Sequence, residues 1–156
     1  MIVETTRFGP VEVEQAKIIM FSRGIPGFEN LRRFFIIPAG DAGDIQWLQA
    51  MDDPAVALLI IDPFKYFKGY CVDIPEPDQR ELQINDQSQA LVAAVVTIPG
   101  GDPANATANL LAPIIINAGL NKARQVILDG TGYTTRHKLF TAIPEAKDKP
   151  SGGEGE

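Results

Sequence analysis

The apolar positions of this chain fall in short, β-branched runs, and run after run stops at an X-Pro step: Ile25-Pro26, Ile37-Pro38, Ile74-Pro75, Ile98-Pro99 and Ile143-Pro144. Asp53-Pro54, Asp62-Pro63 and Asp102-Pro103 add Asx-Pro turn signals. Proline lacks a ladder donor and holds the residue before it extended, so these steps mark strand ends and turns. Short strands at this close spacing predict an all-β barrel or sandwich with one or two short helical turns, and the reading taken is a small closed or nearly closed β-barrel-like domain. The strands fall at about 2–6, 10–14, 17–22, 33–38, 45–51, 55–61, 69–74, 90–98, 105–117 and 123–129. Val11 and Val13 alternate with Glu12 and Glu14, which predicts one wet face, whereas 57–61 and 91–98 are apolar on both faces and belong at the centre. From Ala106 to Ile116 a period of two persists through Pro113, which predicts one long, bent strand. Helical turns are expected at 29–33 and at 77–84, the latter with Leu82 packed inward.

Length and composition sharpen this picture. With 156 residues, 45% of them hydrophobic, the chain forms one domain with a core of its own. The domain is expected over 1–143, followed by a disordered tail over 144–156, where Gly, Glu, Lys and Pro leave little to bury. One cysteine, Cys71, excludes an internal disulfide and fits a reducing compartment; its run Tyr70-Cys71-Val72 predicts a small buried hydrophobe. No uncharged apolar run is long enough to span a bilayer, and no signal peptide is visible, so a cytoplasmic protein, monomeric when free, is expected. Twenty acids against 14 bases give a formal charge of -6, which disfavours direct contact with nucleic acid and suits a basic protein partner.

Candidate chemistry is sparse. His137, in the basic segment Thr135-Arg136-His137-Lys138, has no partner for a metal site beyond Cys71, and reads as a surface residue. No cofactor motif survives: Gly24-Ile25-Pro26-Gly27 has a proline where a phosphate loop presents an N–H, and Gly130-Thr131-Gly132 lacks the third glycine of a dinucleotide fingerprint. The charge is segmented. Residues 41–53 hold Asp41, Asp44, Asp52 and Asp53 without a base, and 73–86 hold Asp73, Glu76, Asp78, Glu81 and Asp86 against Arg80; 122–138 hold Lys122, Arg124, Arg136 and Lys138 against Asp129. An acidic face and scattered solvated charge both fit this distribution. Four rings crowd into 62–70 as Phe64, Tyr66, Phe67 and Tyr70, interleaved with Lys65 and Lys68; they are core, anchors of a protein interface, or a stacking surface for nucleic acid, which two lysines in an acidic protein support weakly. The competing class is a small β-barrel ligand-binding protein or an acid-based hydrolase using converging carboxylates such as Asp52 and Asp62.

Three motifs in order carry a resemblance: Phe21-Ser22-Arg23-Gly24-Ile25-Pro26-Gly27-Phe28-Glu29; Asp62-Pro63-Phe64; and Leu111-Ala112-Pro113-Ile114-Ile115-Ile116-Asn117 followed by Arg124-Gln125-Val126-Ile127-Leu128. Together, from Met1 to about Phe140, they resemble the FliW family of flagellar assembly factors. The resemblance implies a non-enzymatic β-barrel regulator that binds flagellin and also binds CsrA, an RNA-binding repressor of flagellin translation. On this reading, secretion of flagellin frees the regulator to capture CsrA, acting allosterically away from the RNA surface. The partner-contact candidates are Phe64, Tyr66, Phe67 and Tyr70 with the flanking acids Asp73 and Glu76, and a second patch of Asn117, Arg124 and Gln125. The acids Asp41, Asp44, Asp73, Glu76 and Asp78 would disfavour a polyanion near CsrA by repulsion. Cys71 stands where the resemblance leads one to expect a larger or polar side chain.

Overall fold

A computed structural model describes residues 1–39 and 45–140. Among the described residues, eleven strands and two short α-helices follow one another: β1 (Ile2–Thr5), β2 (Gly9–Glu12), β3 (Ile19–Phe21), β4 (Arg33–Pro38), β5 (Ile45–Ala50), β6 (Ala57–Ile61), α1 (Pro63–Tyr66), α2 (Glu76–Leu82), β7 (Ala90–Thr97), β8 (Thr107–Ala108), β9 (Ile114–Asn117), β10 (Lys122–Gln125) and β11 (His137–Lys138). From β3 to β7 each strand pairs antiparallel with the next in space, and β10 joins β9 antiparallel and β3 parallel. Because β7 also pairs with β9, the strands β3, β4, β5, β6, β7, β10 and β9 close into a barrel. The other half of that same β7 edge carries β8, which in turn carries β11.

Alternation along these strands sorts the apolar side chains into three cores. Every barrel strand sends residues inward: Ile19, Phe21, Phe34, Leu48, Ala50, Ile60, Ala93, Ile114, Ile116 and Ala123 fill the interior. Outside the β6–β7–β9 wall, Ile61, Ala94, Val96 and Ile115 meet Tyr70, Leu82, Ile84, Leu110, Val126 and Leu128. Outside β4, Phe35 packs under Val3 and Val13 of the β1–β2 hairpin and the turn that follows it. The core outside the β6–β7–β9 wall explains why β6 and β7 read as apolar on both faces.

Four expectations need correction. Residues 69–74 form no strand. Tyr70, Val72 and Ile74 do face the outer core in alternation, but the β7 edge is already occupied by β9 and β8, so the segment lies as an unpaired cover. The expected strand over 105–117 is two strands, β8 and β9. Pro113 has no donor for a ladder, and its carbonyl accepts from Val126 N at 2.9 Å while Asn109 Oδ1 accepts from Ala112 N at 2.9 Å. Residues 29–33 make a turn that leads into β4, with no helix. Asp62-Pro63 opens a helix rather than a plain turn: Asp62 Oδ1 accepts from Phe64 N at 3.0 Å and Pro63 takes the first helical position. The helix expected at 77–84 is present as α2, with Leu82 buried. The tail expected over 144–156 lies outside the described residues, as do Asp41 and Asp44.

Candidate partner-binding surface

The ring-rich segment divides according to what each ring touches. Tyr70 is 6% exposed; its hydroxyl donates to Leu110 O at 2.8 Å and its ring meets Tyr133 edge-on at 4.8 Å. Burial, and secondarily Tyr133, raises its pKa above the usual tyrosine value. Tyr66 and Phe67 are half-buried against the same core, and Phe67 meets His137 edge-on at 6.1 Å. His137 is thus part of the cover rather than a free surface residue, and its Nε2 accepts from Thr134 N at 2.9 Å. Phe64 alone of the four stands out, 48% exposed beside Tyr70. Cys71, expected to be buried, is exposed, because Tyr70 and Val72 on either side of it take the inward positions.

Of the charged candidates, Arg124 and Glu76 are paired with other charges of the fold. Arg124 reaches from β10 to Asp78 at 3.0 Å and Glu81 at 2.8 Å on α2; Glu81 also accepts from Ser22 Oγ at 2.9 Å and pairs with Arg23 at 3.3 Å. The Arg23 hydrogen bond, then that from Ser22, holds the Glu81 carboxyl below its ordinary range. Glu76 pairs with Arg80 at 3.4 Å one helical turn on, and Asp73 is exposed. Arg124 of the basic segment therefore meets Asp78 and Glu81 of the acidic one. Asn117 is interior, 3% exposed, and Gln125 Nε2 donates to Ala112 O at 2.8 Å.

The two barrel ends differ. At one, the 22–32 loop folds back and places Ile25, Phe28 and Leu31 on the interior core. Gly24 makes this possible: its φ is +67°, and a Cβ there would lie 2.6 Å from Glu29 O. At the other end, Leu91 continues the inward alternation of Ala93 and Val95 yet is 55% exposed. Two apolar grooves flank it. One, of about 520 Å³, runs from Val11 and Val13 past Ile37; the other, of about 330 Å³, runs past Ile60 to Phe64; Ile36, Leu91 and Ile116 line both. Sequence reasoning did not single out Leu91, because nothing in an all-apolar strand marks the residue at which the barrel opens.

The chain matches the protein-family model described as FliW protein over residues 2–139. That is nearly the whole domain. The chain belongs to the FliW family. It is similar to the flagellar assembly factor FliW of Moorella thermoacetica, 49% identical over 157 residues, covering 100% of this chain and 99% of that protein. It is also similar to the same factor of Thermosipho africanus, 45% identical over 134 residues, covering 86% and 92%. A crystal structure of the flagellar assembly factor FliW superposes with a TM-score of 0.84 at 32% identity, over 91% of this chain and 99% of that one.

The motifs that carry the FliW resemblance do structural work here: a barrel plug at Gly24–Phe28, a helix cap at Asp62-Pro63, and the β9–β10 wall. The acids of the hydrolase reading are held apart and engaged. Asp52 pairs with Arg33 at 2.6 Å, which keeps its carboxyl below the usual range. Asp62 caps α1 at the opposite end of β6, about 17 Å away for a five-residue strand. A general acid needs the opposite displacement of its carboxyl. Among the described residues no group of three or more His, Cys, Asp or Glu could hold a metal ion, and no helix is long and apolar enough to cross a membrane.

Proposed function

We propose that this FliW-family chain is a flagellar assembly factor of the cytoplasm that acts by binding proteins. Its partners are flagellin and the translational repressor CsrA, and by exchanging one for the other it couples flagellin secretion to flagellin translation. The observation that carries this reading is the family match over residues 2–139. A filled barrel interior and the pairing of Asp52 with Arg33 agree with a binding role. Action on CsrA is allosteric, and exposed acids near the contact, Asp73 and Glu76, weaken the hold on messenger by repulsion. Asp78 is set apart from them, since its bond to Arg124 makes it part of the scaffold.

Titration calorimetry of the full chain against CsrA and against flagellin, separately and then in competition, tests the proposal. Heat with each partner is expected, and prior saturation with flagellin should abolish the CsrA signal. No heat with either overturns it.

A further inference from the structure

We propose that the open barrel mouth around Leu91 receives an extended segment of a partner protein, apolar on one side and flanked by cationic residues. The proposal rests on the binding reading above for the existence of such a partner, and adds where it sits and what chemistry it carries. Three observations point the same way.

The mouth offers two apolar grooves, about 520 and 330 Å³, divided by one exposed leucine, so a segment laid across Leu91 can seat a side chain on each side. At the opposite end the chain supplies Ile25, Phe28 and Leu31 to the interior; no described residue does so here. The backbone favours an extended occupant. The β6–β7 ladder ends at Ile61 and Ala94, beyond which Ala90–Ala93 pair with β9 on one flank and with no described strand on the other, and all four line the smaller groove. A strand flank of this kind accepts extended chain. Charge sets the rest. Glu12 is paired with the N-terminal ammonium at 2.8 Å, which leaves Glu14 and Asp62 against Lys17 in the groove linings, on a chain of net charge -6, so the matching flank is cationic.

The test uses the full chain and two fluorescein-labelled peptides, one alternating Ile with Lys and one alternating Ile with Glu, read by anisotropy. The Ile/Lys peptide is expected to bind, at least tenfold more weakly to Leu91→Gln, and unchanged to Ile127→Gln, an equally exposed apolar site on another face. Glu14→Lys should weaken the Ile/Lys peptide and strengthen the Ile/Glu one. Equal binding of both peptides, no binding of either, or full affinity in Leu91→Gln overturns the proposal. So does sedimentation showing that the chain dimerises through Leu91, which would give the mouth to a second copy. Calorimetry with CsrA and flagellin is the second arm. Wild-type heats for both partners in Leu91→Gln overturn the mouth as their site. Absence of heat from the wild-type chain refutes the proposed function instead, and the peptide arm decides the groove independently.

Discussion

Replacing Asn117 tests whether the buried amide is the joint between α2 and the barrel. Its Nδ2 donates to Leu82 O at 2.8 Å and to Gln83 O at 3.3 Å, where the end of α2 leaves carbonyls without helical partners. Its Oδ1 accepts from Gly119 N at 3.1 Å and Leu120 N at 3.3 Å, which shapes the turn between β9 and β10. An ordinary hydrogen bond contributes about 0.5–1.5 kcal/mol net, and a buried acceptor left unpaired costs about 1–3 kcal/mol. Counting two well-formed bonds and one stranded carbonyl, Asn117→Ala should lose about 3 kcal/mol. At about 2–4 °C per kcal/mol for a chain of this size, the melting temperature should fall by about 6–12 °C. Calorimetric melting and urea titration at pH 7 measure both quantities. Asn117→Asp keeps the acceptor but removes the donor, and should be no more stable than the alanine variant. A loss below about 1 kcal/mol, or an aspartate variant as stable as wild type, would refute the reasoning.

Three further outcomes are expected. Gly24→Ala should cost more than Gly27→Ala in urea unfolding. Both glycines have positive φ, worth about 1–2 kcal/mol against a side chain, but only at Gly24 does the new Cβ strike main-chain atoms; equal losses would contradict the clash. Glu81 has a depressed folded-state pKa, so its contribution is present above the unfolded value of about 4.3 and is lost as pH falls through the folded value. Glu81→Gln should therefore lower the urea midpoint at pH 7 and reduce its further drop on acidification; an unchanged pH slope argues against the Arg23–Glu81–Arg124 bridge. Tyr70 has a raised pKa, so its contribution is intact below about pH 10 and declines above it, where the unfolded chain ionises first. Absorbance at high pH should show one of the three tyrosines ionising late, and Tyr70→Phe should remove that step at a cost of about 1–2 kcal/mol.

What could be read in advance was governed by local chemistry. Proline steps and period-two alternation placed β4 to β7 within a residue or two, because those strands are apolar and their ends are fixed by turn residues at each boundary. Asp53, Asp62 and Asp102 each accept from the N–H two residues on, as their Asp-Pro steps imply. Local pattern fails where a neighbour decides. Tyr70, Val72 and Ile74 alternate as a strand does, yet the β7 edge beside the outer core is already taken by β9 and β8. The candidate site is harder still. Phe64 was visible as one ring of four, but its exposure depends on α1 turning it away from the core that takes Tyr70. Arg124 and Glu81 are 43 residues apart, and only the fold makes a web of them.

The parallel seam between β3 and β10 has a consequence for synthesis. It joins Met20 to Lys122, so the barrel cannot be sealed until the chain has been made past residue 122. A chain emerging from the ribosome carries β3 to β6 first, with Phe21, Phe34 and Leu48 facing water and no inner wall opposite them. Pairings of such long sequence separation form slowly, and the waiting sheet is the species most prone to clump. A barrel built this way ripens late: its surface is incomplete until β10 has left the exit tunnel.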